Sequence, residues 1–332
     1  MKKLPSLKSG FTTGAASAAA AKAAVIYKLE SKRTQNIEVN LPFNKSINIP
    51  VEYTVNRAFV FKDGGDDPDV TKGAIICVSA DILENRTDIL ITGGKGVGIV
   101  TKKGLQVDVG NYAINPVPMD MIKRNIKPLL KDSIGVSIKI EIVDGEKIAK
   151  KTFNEKLGIM GGLSILGTTG IVIPMSLDAI KKTIACEIDV CVSEGIDYFY
   201  IVPGKIGEKF VFNLNREGYS VQVSNFFDFA ICYIREKGIK KIALAGHPGK
   251  LAKIAMGFYD THSTKSKQAQ DYIASRFNLE SKFNTVEEIL LAGYNFDIIA
   301  GDISKRIYMD YNIQADVFLC NMKGELAGKF LF

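Results

Sequence analysis

The stretch NEKLGIMGGLSILGTTGIVIP, residues 154–174, separates two unlike halves of the chain. Its glycines (Gly158, Gly161, Gly162, Gly167, Gly170) are interleaved with apolar and small hydroxylated residues. Glycine is unfavourable inside a helix or strand. Such spacing therefore predicts turns with special backbone angles, or backbone that something approaches closely. The closing segment, Gly170 to Pro174, predicts a short β-branched strand stopped by proline. The expected fold is α/β in two domains around this glycine-rich junction. Residues 1–165 form a mixed α+β domain with an alanine-rich helix and several strands. Residues 166–332 form a doubly wound, Rossmann-like α/β domain ending in a hairpin. The turn Gly167–Gly170 is expected to face a cleft between them.

Upstream, SGFTTG (residues 9–14) precedes ASAAAAKAAVIYKL. Alanine is the best helix former, and Thr12 and Thr13 supply cap chemistry. The pattern serves plain capping or, through free first-turn amides, an anion site. Residues 36–41, 47–53 and 57–62 alternate as strands. The loop KDGGDDPD (residues 62–69) then gathers Asp63, Asp66, Asp67 and Asp69. Those carboxylates suit cation binding, a base, or Asx turns that order the loop. A strand at 88–92 feeds GGKGVG (residues 93–98), which holds Lys95 and has the shape of a phosphate cradle. It matches neither a P-loop nor a dinucleotide fingerprint. Asn115-Pro-Val-Pro118 predicts a rigid turn before a helix over 119–130. A strand over 136–142 leads through Asp144-Gly145, a hairpin signal, into residues 147–153.

Downstream, helix and strand patterns alternate: helices at 177–194, 209–216, 226–237 and 251–258, strands at 198–202, 220–224 and 241–245. More helices follow at 265–277, 285–292 and 297–311. Strands at 315–321 and 325–330, turned at Lys323-Gly324, close the chain. Regular βα alternation predicts a parallel sheet whose ligands sit at the carboxyl ends of its strands. Pro203, Gly204, Ser224, Asn225 and the run Gly246-His-Pro-Gly-Lys250 fall at those ends. His247, just before a helix, suits ligand binding, acid–base work, or capping.

The composition, 46% hydrophobic and 24% charged over 332 residues, is that of a globular protein of one or two domains. No apolar run approaches the roughly 18–20 residues that span a bilayer, so no membrane role is expected. The net charge of +7 comes from lysines scattered along the chain, which suits an acidic small molecule or simply solubility and argues against nucleic acid. Five separated cysteines suggest reduced thiols and a cytoplasmic setting. With two histidines and no Cys/His cluster, no metal site built by the protein is expected. A homo-oligomer is compatible with this composition.

Several segments taken together resemble a known family: SGFTTGAASAAAAKAA, DDPDVTKGA, GKGVGIVTKKGL, AINPVPMDMI, NEKLGIMGGLSILGTTGIVIPMS, VPG, VSNFFDF and GHPGKLAKIAMGFYDTHS, in that order. The chain is similar to the CbiD family, the cobalt-precorrin-5B C1-methyltransferases of anaerobic cobalamin synthesis, over nearly its whole length. The resemblance implies S-adenosylmethionine as methyl donor and a cobalt-precorrin as acceptor, with methylation at ring carbon C1 giving cobalt-precorrin-6A. Cobalt then enters only as part of the substrate. Ala16, Lys72 and Met119 stand where the family pattern leads one to expect cysteine, histidine and arginine.

On that footing the donor is expected to bind at Pro203, Gly204, Ser224, Asn225, Gly246, His247 and Gly249, with Thr168 and Thr169. The macrocycle is expected at Thr12, Thr13, Gly14, Lys95, Asn115, Thr261, His262 and Ser263. Asp63, Asp66 and His247 are the candidate catalytic groups. The alternatives are a phosphate- or nucleotide-binding α/β enzyme, and a non-catalytic tetrapyrrole-binding protein of the same pathway.

Overall fold

The computed structural model describes residues 7–215, 218–279 and 283–332. It divides into two compact units, Met1–Ser176 and Leu177–Phe332. The break falls after Ser176 and not at 165, so the glycine-rich stretch belongs to the first unit. Backbone hydrogen bonds explain this. Thr12 donates to the Gly170 carbonyl at 2.9 Å and Gly14 to the Leu166 carbonyl at 3.0 Å.

Helix α1 (Thr13–Glu30) is the centre of the first unit. Thr12 caps it: its Oγ1 accepts the Ala15 amide at 3.2 Å. Ser31 ends it in the left-handed conformation. Ala15, Ala16 and the run Ala18 to Ala21 are fully buried. A helix that is apolar on every side belongs in an interior, and methyl side chains let its neighbours pack close. Those neighbours follow in chain order. Strand β1 (Gly10–Phe11) precedes the helix, and β2 (Asn36–Leu41) and β3 (Lys45–Pro50) form a hairpin after it. Then come β4 (Glu52–Tyr53), β5 (Ala58–Phe61), β6 (Ile75–Glu84), β7 (Ile89–Gly93), β8 (Gly96–Val97) and β9 (Ile99–Val100). Helix α2 (Pro116–Ile126), β10 (Ile134–Ile142), α3 (Gly145–Ala149), β11 (Ile159–Met160), β12 (Gly162–Leu163) and β13 (Ile171–Val172) complete the unit.

Five strands make a mixed sheet in the order β4-β5-β6-β10-β7. Its period-2 pattern separates the faces. Val136, Ile138, Ile140 and Ile142 of β10, with Ile76, Val78 and Ala80 of β6, join α1 in one core. Ser137, Lys139 and Glu141 alternate with them on the opposite face. The short strands lie apart from this sheet: β1 pairs with β13, β9 with β11, and β8 with β12.

The expected hairpin at Asp144-Gly145 is instead the start of α3. The amides of Lys147 and Ile148 both donate to the Asp144 carbonyl. Gly145 lies against Gly96, where a Cβ would stand 2.2 Å from the Gly96 oxygen. Gly162 meets the same oxygen, also at 2.2 Å from its ideal Cβ. The close approach implied by the glycines is thus made, at this crossing, by the protein's own backbone.

The second unit runs α4 (Leu177–Ser193), β14 (Tyr200–Val202), α5 (Lys205–Leu214), β15 (Ser220–Gln222), α6 (Phe227–Glu236), β16 (Lys241–Gly246) and α7 (Pro248–Ala255). Helices α8 (Gln270–Arg276), α9 (Val286–Leu291) and α10 (Asp297–Tyr311) follow, then β17 (Gln314–Cys320) and β18 (Leu326–Phe330). The helix expected over 209–216 begins earlier, at Lys205, and Arg216 lies outside the described residues. The sheet order is β15-β14-β16-β17-β18, parallel except for the antiparallel β18. Both faces are apolar, as parallel sheets require. Ile201, Leu244 and Val317 join one core with α6, α7 and α10. Tyr200, Val202, Ala245 and Phe318 join a second core with Phe210 and Val211 of α5. Among the described residues no helix is long and apolar enough to cross a membrane.

The crossing yields a contrast between adjacent glycines. Gly161 has positive φ (+76°), but nothing lies within 4 Å of its ideal Cβ. Gly161→Ala should cost about 1 kcal/mol through backbone conformation alone. Gly162→Ala must push β8 and β12 apart and should cost about 3 kcal/mol. Denaturant unfolding of the two variants measures both. Equal costs would show that the backbone contact at Gly96 does not limit this site.

Candidate active site

The second unit brings its expected residues together through sheet topology. The chain leaves β14 for the neighbour on one side and returns through β16 on the other. A parallel α/β sheet opens a crevice at such a point, beyond the carboxyl ends of the strands. Pro203 and Gly204 follow β14, and Gly246 ends β16. A Cβ on Gly246 would stand 2.9 Å from Pro203 Cδ, so the missing side chain lets these two strand ends meet. Gly204 precedes α5 with nothing within 4 Å of an ideal Cβ, which leaves its backbone open to approach.

Ser224 and Asn225 follow β15, Ser224 with φ of 52°. Thr261 joins them: its amide donates to the Asn225 carbonyl at 3.2 Å, and its Oγ1 donates to Asn225 Oδ1 at 3.3 Å. Thr261, expected with the macrocycle group, therefore sits among the residues expected for the donor. His262 and Ser263 beside it are exposed. The His262 Nδ1 lies 2.8 Å from Thr264 Oγ1.

His247 is the N-cap of α7. Its Nδ1 accepts the Gly249 amide at 3.1 Å, which leaves the ring proton on Nε2. That nitrogen donates to Glu287 Oε2 at 2.9 Å. Glu287 Oε1 in turn accepts the Met322 amide at 3.3 Å, just beyond β17. Both ring nitrogens are therefore occupied, and His247 ties the end of β16 to the segment after β17. Proton transfer by this ring would first have to release one of those bonds.

One residue in this region, Lys253, escaped the sequence reading, which reached only its neighbour Lys250. Lys253 of α7 is only 5% exposed, and its Nζ donates to the Thr261 carbonyl and to Ser266 Oγ, each at 3.0 Å. Lys250, one turn earlier, is half-buried. Burial lowers the pKa of both, and the charge of Lys253 lowers that of Lys250 further. The visible signal was two lysines three apart in the otherwise apolar run KLAKIA (residues 250–255).

In the first unit a second cluster forms where α1 and α2 begin. Thr13 Oγ1 lies 3.1 Å from the Ser164 carbonyl and accepts the Leu166 amide at 2.9 Å. Gly14 is pressed between Pro118 and the Leu166 oxygen. Gly167 lies against the Thr12 side chain, 2.3 Å from its ideal Cβ to Oγ1. Asn115 donates its amide to the Ile165 carbonyl at 3.0 Å and its Nδ2 to Gln106 Oε1 at 3.2 Å. Thr12, Thr13, Gly14 and Asn115 thus converge, and Thr168 and Thr169, expected with the donor group, stand exposed beside them. The amides of Gly14, Ala15 and Ala16 are all bonded within the unit, so these three leave no open anion site at the start of α1. Lys95 is exposed at the glycine crossing, away from β1 and α1 in sequence, and its carbonyl accepts the Ile142 amide.

The aspartate loop is held by its own carboxylates. Asp63 Oδ1 accepts the Gly65 amide at 2.8 Å, and Asp66 Oδ2 accepts the Lys8 amide at 2.5 Å. Asp67 Oδ1 accepts the Met175 amide at 2.9 Å. The Gly65 amide, aided by Lys8, holds the Asp63 carboxyl below its ordinary range, which weakens it as a base. Its side chain is still 40% exposed.

Fold and sites define an α/β protein of two units, with ligand-type strand ends in the second. Known proteins narrow this. The CbiD family model matches residues 1–174. A cobalt-precorrin-5B C(1)-methyltransferase of Methanocaldococcus jannaschii is 39% identical, over 98% of this chain and 97% of that protein. One of the same name from Methanococcus vannielii is 38% identical, over 96% and 95%. The crystal structure of a cobalamin biosynthesis protein (cbiD) from Archaeoglobus fulgidus is 27% identical, covering 82% of this chain and 85% of that one with a TM-score of 0.43. The chain belongs to the CbiD family.

The aspartate loop generates a stability prediction. Lys62 Nζ lies 2.6 Å from Asp69 Oδ2, and the lysine side chain is 2% exposed. Burial raises the Asp69 pKa, but Lys62 and Thr71 outweigh it and the net shift is downward. This pair therefore stabilises the fold above the ordinary carboxylate range, and its contribution is lost as pH falls through the lowered folded value. Asp69→Asn strands a buried ammonium and should cost about 3 kcal/mol at neutral pH. Unfolding curves from neutral to acid pH should show that deficit shrinking; a pH-independent deficit would contradict the pairing.

Proposed function

We propose that the chain transfers a methyl group from S-adenosylmethionine to C1 of cobalt-precorrin-5B, giving cobalt-precorrin-6A in anaerobic cobalamin biosynthesis. The observation that carries this is the likeness, over nearly the whole chain, to relatives named cobalt-precorrin-5B C(1)-methyltransferase. When bound, the donor supplies a methyl group on a positively charged sulfur, already activated for displacement. The protein's own task is then to align carbon with methyl and to exclude water. Cobalt arrives within the substrate.

The second unit fits the adenosyl donor as a Rossmann-like domain. The open backbone at Gly204 can accept close contact. Ser224 and Asn225 offer hydroxyl and amide groups beside it in the same sheet edge. His247 and Gly249 act here by fixing the start of α7. We assign Thr168 and Thr169 to the macrocycle, with Thr12 and Asn115, because they share one corner of the first unit. Exposed Leu166 adds an apolar surface there suited to a flat ring. Thr13 and Gly14 shape that corner from inside. Lys95 is available to a macrocycle carboxylate. Of the groups proposed for proton transfer, Asp63 and Asp66 keep partly exposed carboxylates. A cytoplasmic setting suits the five free cysteines.

The purified protein should move labelled methyl from S-adenosylmethionine to cobalt-precorrin-5B. Tight macrocycle binding without transfer would make it a carrier. Stabilisation by ATP or NAD, with none by S-adenosylhomocysteine, would make it a nucleotide enzyme. Hydrogen exchange with S-adenosylhomocysteine present should show protection at 203–204, 224–225 and 246–250. Protection confined to the first unit would overturn the donor assignment.

A further inference from the structure

Helix α7 carries Lys250 and Lys253 on one side, a turn apart. Lys253 is anchored by two neutral oxygens, the Thr261 carbonyl and Ser266 Oγ. Among the described residues Lys250 makes no side-chain hydrogen bond or ion pair, and neither lysine meets a carboxylate. The nearby acids are already engaged. Glu287 accepts from His247 and the Met322 amide. Asp260 accepts from Lys265 at 2.8 Å and from the His262 amide at 3.2 Å. Two like charges set close together out of water oppose one another and cost stability. Burial lowers the pKa of both lysines, and the charge of Lys253 lowers that of Lys250 further.

The geometry gives the two lysines different parts. Lys253 reaches the loop that also carries Thr261, and Thr261 holds Asn225 at the end of β15. Lys250 stands in the first turn of α7, directly after the end of β16, where Gly246 meets Pro203. We propose that Lys250, with Lys253 as its buried neighbour, binds a ligand carboxylate at the carboxyl ends of β14 and β16. This rests on the methyltransferase reading, which offers two sources of that group: the amino-acid end of the donor and the acetate or propionate arms of the macrocycle. A bound carboxylate would relieve the repulsion between the lysines, so binding and charge relief act together. Lys250 is then a binding and positioning residue, and the methyl transfer itself needs no proton from it.

Lys250→Met keeps most of the apolar stem and removes the charge. Calorimetry with S-adenosylhomocysteine and steady-state KM values for both substrates separate the sources. A dissociation constant for S-adenosylhomocysteine raised about 10-fold or more, with the macrocycle KM unchanged, identifies the donor's carboxylate. In that case 5′-methylthioadenosine, which lacks the amino-acid end, should bind wild type and variant alike. A raised macrocycle KM with unaltered S-adenosylhomocysteine binding identifies the macrocycle's arms. Lys250→Arg should restore most of the lost affinity in either case. If the Met variant keeps both constants in an active background, the inference is wrong, and a fall in Tm alone would make Lys250 a structural lysine. A wild-type protein that neither binds S-adenosylhomocysteine nor transfers methyl overturns the functional reading, and this inference with it.

Discussion

The first unit depends on a helix that can be enclosed from every side. Helix α1 presents alanine methyls in nearly all directions, and its neighbours close in until the methyls are fully buried. So tight a fit needs a fixed starting point. Thr12 supplies it by capping the helix, and Thr13 by binding the Ser164–Leu166 backbone. The glycine-rich stretch is thereby sewn to the start of α1 and becomes part of the first unit. One set of contacts thus fixes the helix, the boundary of the unit and the corner at which the macrocycle is proposed to bind.

The second unit follows a different economy of polar groups. Its strands are covered on both faces, so variety is confined to the strand ends. There His247 uses both ring nitrogens to hold α7 and Glu287, and Thr261 holds Asn225. Those groups are spent on architecture. Gly204 and Lys250 are different: one leaves open backbone, the other a half-buried ammonium without an internal partner among the described residues. Groups already satisfied by the protein shape a site, and groups left to be satisfied can bind. That separates the residues around these strand ends better than their chemical type does.

Much of the fold was legible because periodicity is local. The alternation of β10, the alanine helix and the βα rhythm of the second half each reflect neighbours only a few residues away. Helix α3 was not legible. Asp144-Gly145 is a good hairpin turn locally, and only the approach of Gly96 gives the chain another course. The aspartate loop was legible as a concentration of charge. Its use was not, because Lys8 and Met175, which engage Asp63, Asp66 and Asp67, lie far from the loop in sequence.

The sequence by itself determined the family, the alternating pattern of both halves, the cap chemistry at Thr12 and Thr13 and the strand-end positions of Gly204, Asn225 and Gly246. These rest on residue order and short-range stereochemistry. Tertiary structure decided which partner each group receives. It joined Thr168 and Thr169 to Thr12, placed Thr261 with Asn225, occupied both nitrogens of His247 and set Lys250 beside Lys253. The glycines of residues 154–174 show the difference. Their number announced that something must come close, and only the folded chain made that something, at Gly162, the carbonyl of Gly96. Hydrogen bonds, burial and charge act across space, and two residues distant in sequence acquire a common energy only when the fold brings them within reach.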